Sequence, residues 1–439
     1  MQPLEKITLA CSIIRQFNNL NPVHISFPFE YAILDMKDEQ ELLTIYNEIM
    51  SPFYEPENTF IIDAPKKKGL IRHLSYLSIK DQLLYTCLII DCFPHIYKII
   101  ARNNVGDPIN VLRQYPINSR WMKTYVRGDI MERRWPLFNK NYSSILQSDI
   151  TAYGLSIDIR IICKELVAAG CSASTIDSLE KCLRKWSALG YKGIPQVYFS
   201  SDLLAEFYLK PIDNCFSSSE ESIFLRESDN IEIWCCSQAY AKKMLIKLSK
   251  ELYERGLYLN NFKTKILNKR SIDRDEHPME GKKYGWRNHF KERFNGLMHL
   301  YYHLSNKFIL NECYERLIKN PEFTIALLQH YSNEKININK SLLKFISSNN
   351  AIYPFQNYFI IKWLIINYNE EDQELYILIR ELAWNDQEPY YLRSIARHFI
   401  FQHGTESDCA MINDQIFKSD NEFEKRDMAF LAGLTVKIA

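Results

Sequence analysis

Glycine and proline are scarce in this chain, with 13 and 16 residues respectively among 439. Both residues interrupt regular secondary structure, so their scarcity favours long helices. An excess of basic charge is also missing, because the formal net charge is only +1 at pH 7. The overall charge therefore does not indicate nucleic-acid binding, and any such binding has to depend on local basic patches.

Regularly spaced cysteines are absent. The 11 cysteines are an odd number, Cys235 and Cys236 are adjacent, and no C-x-x-C pair exists. This distribution argues against a disulfide scaffold or a zinc site and is typical of reduced thiols inside a cell.

A signal peptide and a membrane span are not indicated. The first residues lack a basic segment followed by a long apolar run, which is the pattern of a secretory signal. No apolar stretch reaches the roughly 18 residues needed to cross a bilayer. The longest candidates, at 83–90 and 359–366, have the length of core helices. We therefore predict a cytoplasmic protein without membrane contact.

Common enzyme signatures are missing as well. The chain contains no G-x-x-x-x-G-K-[ST], G-x-G-x-x-G, H-E-x-x-H or G-x-S-x-G motif. A P-loop, a dinucleotide fold, a zinc protease helix and a hydrolase nucleophile elbow are therefore not indicated. Four histidines lie in the C-terminal half without a nuclease spacing, and we interpret each as a core or surface residue. They are His303, His330, His398 and His403.

Two acidic residues stand next to predicted strands. Asp149 ends an apolar strand at 145–150 and precedes a predicted helix. Asp229 lies in the turn of a predicted hairpin, between the apolar segments 223–225 and 231–234. Nearer the N-terminus, a strand, a basic turn, a second strand and a helix follow one another. They lie at 60–63, at 66–69, at 71–74 and from Ser78 onward. Further helices are predicted near 38–50, over 156–170 and over 239–255, the last of them ending at Gly256.

Three segments, in a fixed order, carry a resemblance to a known family. They read Ser-Asp-Ile-Thr-Ala-Tyr at 148–153, Gly-Ile-Pro-Gln at 193–196 and Arg-Glu-Ser-Asp-Asn at 226–230. In this order they resemble motifs A, B and C of a reverse-transcriptase palm, and Gly-Leu-Tyr-Leu-Asn at 256–260 with Lys263 resembles motif D. Within this family, the chain is most similar to the bacterial defence-associated and abortive-infection reverse transcriptases.

The resemblance implies an α+β fold, with reverse-transcriptase-like fingers and palm followed by an all-α, HEAT-like helical-repeat domain. We expect the N-terminal region and fingers at 1–145, the palm at 146–267, a linker at 268–292 and the repeat domain at 293–439. The linker is dense in charge and poor in apolar residues. Helices of the repeat domain are predicted at 323–331, 342–347, 355–367, 374–384, 392–402 and 425–434.

The chemistry that the resemblance implies is nucleotidyl transfer with two divalent cations, Mg²⁺ or alternatively Mn²⁺. That reaction needs carboxylates from separate strands to converge on the two metals. The implied metal ligands are Asp149, Ile150 and Asp229. The implied catalytic residues are Asp149, Asp229, Asn230 and Lys263, with Lys263 protonating the leaving pyrophosphate. The residues implied to bind the nucleotide are Lys66, Lys67, Arg72, Tyr153, Gly154 and Gln196.

Simpler structural roles remain open for these residues. Asp149 taken alone would be a helix-start or N-cap acid, and Gly-Ile-Pro-Gln at 193–196 an ordinary loop before a helix. The basic run that includes Lys68 would be a solvated turn, although a triphosphate needs charge-assisted donors of this kind. Lys263 would be a solvated lysine at a helix end. The shared order of the motifs along the chain favours the catalytic interpretation.

Several positions depart from the family pattern. Glu227 stands where an aromatic residue is usual, Asn230 replaces the second acid, and Gly154 replaces a bulky aromatic that blocks the ribose 2′-hydroxyl. Val-Tyr-Phe at 197–199 follows Gln196 in place of the usual Gly-Pro. An asparagine still offers a carbonyl oxygen to Mg²⁺ or its waters, and this favours an active enzyme.

We therefore predict a reverse-transcriptase-like DNA polymerase, and the resemblance implies a role in antiphage defence. The altered pocket predicts a restricted product, a homopolymer or short repeat, templated by a partner RNA or by protein side chains. The predicted partners are deoxynucleoside triphosphates, a non-coding RNA template and/or the DNA product, and either further copies of this chain or a second defence protein. The alternative is a catalytically inactive palm that serves as an RNA-binding or assembly subunit.

Overall fold

The fold is given by a computed structural model of the chain, which contains two compact units. Met1–Ile61 and Leu74–Pro278 form the first unit, and Ile62–His73 and Met279–Ala439 form the second. The residues that the structure describes are 1–20, 38–65, 71–101, 106–117, 121–127, 140–187, 190–216, 219–268, 373–386, 390–419 and 422–431, with the single positions 133, 137 and 388.

Helices α1 (Pro3–Leu20), α2 (Glu39–Ile49) and α3 (Ile79–Ile100) lie at the start of the first unit. Helix α2 begins at a capping box. The Asp38 carboxylate accepts a hydrogen bond from the Glu41 amide at 2.8 Å, and the Glu41 carboxylate accepts one from the Asp38 amide at 3.2 Å. These reciprocal bonds satisfy amides that have no partner within the helix, which is why α2 starts where the sequence predicts.

Helix α3 is the central helix of the first unit. It follows Ser78, whose hydroxyl accepts a hydrogen bond from the Asp81 amide at 3.3 Å, so the predicted start at this residue is confirmed. The helix is longer than the predicted apolar core at 83–90, and its 22 residues are long and apolar enough to cross a membrane. However, 72% of its most apolar window is buried inside the protein, as expected for a core helix.

A four-stranded antiparallel sheet is the framework of the candidate site. Its strands are β3 (Ser144–Asp149), β4 (Ser222–Glu227), β5 (Asn230–Cys235) and β6 (Lys265–Asn268), in the order β4-β5-β3-β6. Strands β4 and β5 form the predicted hairpin, and β5 pairs with β3 so that Asp149 lies opposite Asn230. The separate strands β1 (Phe60–Pro65) and β2 (Ile71–Tyr76) pair with each other, as predicted.

The remaining helices of the first unit surround this sheet and α3. They are α4 (Pro108–Arg113), α5 (Tyr153–Ser156), α6 (Ile159–Ala168), α7 (Ala173–Trp186), α8 (Phe199–Cys215) and α9 (Gln238–Glu254). Helix α9 packs against β3, β5 and β6, and α8 packs against α3. The predicted end of α9 is confirmed, because Gly256 follows it with a φ of +72°, a conformation that favours glycine.

One predicted helix is interrupted. The segment after β3 was predicted as a single helix over 156–170, but α5 ends at Ser156 and Ile157 is extended. Asp158 then caps α6, accepting a hydrogen bond from the Arg160 amide at 2.9 Å. The Ile159 amide donates to the Tyr191 carbonyl at 2.9 Å, so a tertiary contact fixes the break.

The second unit contains helices α10 (Gln373–Trp384), α11 (Tyr390–His403), α12 (Glu406–Lys418) and α13 (Glu422–Leu431). Helix α10 packs against α11, and α12 packs against α13. The helices predicted at 374–384, 392–402 and 425–434 are present with shifted ends, whereas α12 was not predicted. The helices predicted at 323–331, 342–347 and 355–367, and the linker apart from Asn268, lie outside the described residues. The repeat architecture stays a prediction.

Candidate active site

The sheet brings Asp149 and Asp229 to neighbouring strand ends. Strand β3 ends at Asp149, and its pairing with β5 sets Asp149 opposite Asn230. One residue further on, the Ile150 amide donates to the Asp229 carbonyl oxygen at 3.1 Å. The two carboxylate-bearing residues predicted from motifs A and C therefore lie side by side in the fold.

The Asp149 carboxylate is buried, with 5% of the residue exposed. Its Oδ2 atom contacts the ammonium of Lys263 in an ion pair. Its Oδ1 atom is buried and has no hydrogen-bond partner among the described residues. A buried carboxylate oxygen without a donor is energetically unfavourable, so this atom is the strongest local indication that the site receives a cation.

Lys263 reaches Asp149 because the segment after α9 folds back onto the end of β3. The Asn260 amide donates to the Asp149 carbonyl at 2.9 Å, and the Thr151 amide donates to the Tyr258 carbonyl at 2.8 Å. A turn then places Lys263 over the carboxylate, with the Asn260 carbonyl accepting from the Lys263 amide at 3.1 Å. The predicted motif-D lysine thus lies at the candidate centre.

The hairpin turn that carries Asp229 has a constrained backbone. Ser228 has a φ of +56°, a left-handed conformation that is uncommon for residues other than glycine. The side-chain amide of Asn230 donates to Asp229 Oδ1 at 3.3 Å and to the Glu227 carbonyl at 3.5 Å. Asn230 is exposed, whereas Glu227 and Asp229 are half-buried, so Asn230 holds the neighbouring carboxylate within the turn.

Arg226 anchors this turn from inside the protein. Its guanidinium makes a bidentate pair with Asp213 at 2.7 and 2.8 Å and contacts Glu206 at 2.9 Å. The same group donates to the Ser228 carbonyl at 2.9 Å. Burial lowers the pKa of Arg226, but the charges of Glu206 and Asp213 outweigh it and hold the pKa above its ordinary value.

The two acidic partners of Arg226 were not predicted from the sequence. They are Glu206 and Asp213, and both lie on α8. A signal was present in the sequence, because these acids are seven residues apart and so share one face of the helix. Glu206 belongs to an otherwise apolar buried stretch that includes Phe207 and Leu209. A buried acid indicates a buried cation nearby.

On the nucleotide side of the predicted pocket, Gly154 lies against Gln196. A Cβ atom at position 154 would come within 2.8 Å of Gln196 Cγ. The Ile194 amide donates to the Gly154 carbonyl at 3.0 Å, and the Gly193 amide donates to the Ile157 carbonyl at 2.9 Å. The structure therefore brings two predicted nucleotide-binding residues together. The Gln196 side chain lies next to Gly154, the position where the family pattern has an aromatic residue.

Tyr153 is placed differently from its predicted role. The side chain is buried, and its hydroxyl donates to the Ala205 carbonyl of α8. Burial raises its pKa well above the ordinary value. The predicted contact with a nucleotide therefore does not involve the side-chain hydroxyl, which instead ties the segment after β3 to α8.

The predicted basic hairpin is described only in part. Lys66, Lys67 and Lys68 lie outside the described residues. Arg72 is half-buried on β2 and belongs to the second unit, whereas Asp149 belongs to the first.

The residues present fit a divalent cation with oxygen ligands. Among the described residues, no group of three or more His, Cys, Asp or Glu side chains is placed to hold a metal. Mg²⁺ is commonly bound by only one or two carboxylates, while waters and substrate phosphates complete its coordination. Asp149 and Asp229 provide two carboxylates, and Ile150 offers only its main-chain carbonyl. An all-oxygen donor set of this kind suits Mg²⁺ or Mn²⁺.

No protein-family model matches the chain, and no curated protein matches it. Solved structures of telomerase show a distant similarity. Apo telomerase from Candida tropicalis is 11% identical with a TM-score of 0.37, and the match covers 94% of this chain and 77% of that chain. Telomerase from Candida albicans in complex with a fragment of telomeric RNA is 9% identical with a TM-score of 0.34, covering 86% and 66%. A truncated apo form from C. tropicalis is 12% identical with a TM-score of 0.33, and this chain spans 54% of its length. Identities and TM-scores this low carry no argument about function.

Proposed function

We propose that this chain is a reverse-transcriptase-like nucleotidyltransferase that adds deoxynucleotides to a growing strand at Asp149 and Asp229. The observation that carries the proposal is the juxtaposition of these two residues, with one buried Asp149 oxygen that has no hydrogen-bond partner in the described part of the chain. Metal-assisted phosphoryl transfer requires carboxylates that converge in this way from separate strands.

The chemistry that divalent cations supply when bound is activation of the attacking 3′-hydroxyl and neutralisation of the charge on the triphosphate. Asp149, Asp229 and the Ile150 carbonyl would hold them. The 3′-oxygen forms a bond to the α-phosphorus, the bond to pyrophosphate breaks, and the hydroxyl proton passes to solvent. Lys263 gives a proton to the leaving pyrophosphate. Before metal and nucleotide bind, the ammonium of Lys263 neutralises the Asp149 carboxylate.

The nucleotide itself would be bound by Gln196 beside Gly154. The side chain of Gln196 narrows the pocket where an aromatic is usual, and this supports a pocket specialised for a restricted product. A homopolymer or short repeat, templated by a partner RNA or by protein side chains, is the product that we propose. Antiphage defence, HEAT-like repeats and assembly with further copies or a second defence protein belong to the same proposal, on the strength of the sequence resemblance.

A second function is favoured by one observation. The side-chain Nδ2 of Asn230 donates to Asp229 Oδ1, an atom that a metal would need as a ligand. If this bond persists, the chain is an inactive palm that binds RNA or assembles a defence complex. The two functions make opposite predictions for metal-dependent nucleotide incorporation.

The experiment is an incorporation assay with purified full-length protein, labelled deoxynucleotides and Mg²⁺ or Mn²⁺. We expect Asp149→Asn and Asp229→Asn to abolish incorporation, whereas Asp177→Asn, at an exposed position of α7, leaves it unchanged. No incorporation by the wild-type protein under either metal refutes the polymerase proposal. Sequencing the product tests the template proposal separately, because faithful copying of mixed-sequence templates with all four nucleotides refutes a restricted product.

A further inference from the structure

An exposed row of rings and lysines runs along α9 and continues into the turn that carries Lys263. On α9, its members recur at intervals of three and four residues, so they lie on one face of the helix. Beyond the helix, the row continues in the folded-back segment. We name it the aromatic–lysine stripe, and it consists of Lys242, Ile246, Lys250, Tyr253, Tyr258 and Phe262.

The apolar members of the stripe are exposed to an unusual degree. Ile246 is 60% exposed, Tyr253 66%, Tyr258 58%, and Phe262 is fully exposed. Single exposed apolar residues are ordinary on a protein surface, but a contiguous row of them indicates a binding surface. The stripe is not the packing face of α9, because the helix buries a different set of residues, namely Ala241, Met244, Leu248 and Leu252.

The stripe adjoins the candidate active site. The rings of Tyr253 and Tyr258 make an edge-on contact with centroids 6.0 Å apart. The Tyr258 carbonyl accepts from the Thr151 amide, two residues after Asp149. Phe262 immediately precedes Lys263, whose ammonium contacts Asp149. A strand that leaves or enters the site would therefore meet these rings first.

The charges along the stripe are positive. Lys242 and Lys250 belong to it, Lys243 is exposed beside it, and Lys265 is exposed beyond its Phe262 end. Two acids lie near the row. Glu251 is half-buried and accepts a hydrogen bond from Cys215 Sγ at 3.3 Å. Glu254 is exposed and follows Lys250 by four residues, so it lies beside that lysine at one edge of the stripe.

A surface that combines lysines with adjacent exposed rings matches the chemistry of a single-stranded nucleic acid. Bases stack on exposed aromatic rings, and basic side chains track the phosphates. A protein partner is less well matched, because lysine is depleted at the centre of protein interfaces. Within the stripe, Lys250 lies between Ile246 and Tyr253, at the middle of the apolar surface.

We propose that the aromatic–lysine stripe binds a single-stranded segment of nucleic acid next to the candidate active site, either the template or the strand being made. Tyr258 and Phe262 stack on bases, and Lys242 and Lys250 contact phosphates. The identity of the bound strand rests on the proposed polymerase function. Binding itself is measured without nucleotides or metal, so it can be tested separately from that function.

The test is fluorescence anisotropy of a labelled, mixed-sequence single strand, as DNA and as RNA, titrated with the full-length protein. We expect Tyr258→Ala and Phe262→Ala each to weaken binding about fivefold or more, the loss expected for one stacked base. Lys242→Gln with Lys250→Gln should reduce the slope of log affinity against log salt by about 1.4, since each phosphate contact contributes about 0.7 for a single strand.

Phe53→Ala is the matched control, because Phe53 is 89% exposed outside the stripe and its loss should leave affinity unchanged. Wild-type affinity in the ring variants overturns the proposal, even when incorporation persists. Self-association that depends on Phe262, seen by sedimentation with strand binding unaffected, overturns it in favour of a protein interface. Ring-dependent strand binding without any incorporation supports the stripe and refutes only the polymerase activity.

Discussion

The guanidinium of Arg226 donates a hydrogen bond to the backbone carbonyl of Ser228 at 2.9 Å. Ser228 is the left-handed residue of the hairpin turn, and Asp229 follows it directly. Glu206 and Asp213 hold the same guanidinium from α8. The position of the Asp229 backbone therefore depends on a buried ion-pair network.

Arg226→Ala should destabilise the first unit by about 3–5 kcal/mol, because it leaves Glu206 charged and without its buried partner. Arg226→Lys keeps the charge but loses the planar fork, so we expect a folded protein with a displaced turn. Its incorporation should require more Mg²⁺ for half-maximal rate, and direct Mn²⁺ binding measured by electron paramagnetic resonance should weaken in parallel. Wild-type Mn²⁺ affinity in a folded Arg226→Lys protein would show that the network serves stability alone.

Gly154 and Gln196 should be energetically coupled. Gly154→Ala puts a Cβ atom within 2.8 Å of Gln196 Cγ, and crowding of this kind costs about 1–3 kcal/mol. Gln196→Ala removes the obstructing atoms, so the double variant should recover part of that loss. Chemical denaturation of the two single variants and the double variant gives the coupling energy, and additive losses contradict the contact.

Much of the first unit could be predicted from local signals. Ser78 and Asp38 are N-cap residues, Gly256 ends α9, and the apolar segments on either side of 227–230 predict the hairpin. Helix α7 was missed although its signal was present, with Ser172 as N-cap and apolar residues such as Ile176 and Leu179 at helical spacing. Strand β6 has only four residues and depends on its pairing with β3, which no local pattern reveals.

The candidate site also combines residues that the sequence predicts with contacts that only the structure shows. Asp149, Asp229 and Lys263 could be found because their motifs follow a recognisable order, and the fold brings them together. The Gly154–Gln196 contact joins residues that are distant in sequence, so only the structure shows it. The hydrogen bond of the buried Tyr153 hydroxyl could not be predicted for the same reason, since its acceptor, the Ala205 carbonyl, lies on α8.

In the second unit, the ionised carboxylate of Asp408 should stabilise the start of α12. Thr405 Oγ1 and the Tyr376 hydroxyl each donate to it at 2.6 Å, and Arg380 Nε donates at 2.5 Å. Burial raises the pKa of Asp408, but these donors outweigh it and hold the pKa well below its ordinary value. Its contribution is therefore present at neutral pH and is lost on acidification below about pH 4.

Asp408→Asn should accordingly destabilise α12 by about 2 kcal/mol, the usual range for hydrogen bonds to a charged group. Amide hydrogen exchange of α12, read by mass spectrometry, measures this locally. The matched control is Asp414→Asn on the same helix, because Asp414 is exposed and its ion pair with Lys418 is a surface pair of small value. Equal exchange rates in the two variants contradict the prediction.

Asp81 should make the stability of the first unit fall as pH rises. Burial raises its pKa to about 6, although hydrogen bonds from Tyr54 and Trp186 oppose the shift. An acid whose folded pKa exceeds its unfolded value of about 4 binds its proton more tightly in the folded state. Stability is therefore greatest below about pH 4 and decreases by about 3 kcal/mol as pH passes through the folded pKa.

Asp81→Asn should remove this decrease, whereas Asp91→Asn on the same helix, which loses an ion pair with Lys6, should retain it. Denaturant unfolding followed by tryptophan fluorescence across this pH range measures the difference, and identical pH slopes in the wild type and Asp81→Asn would refute the assignment.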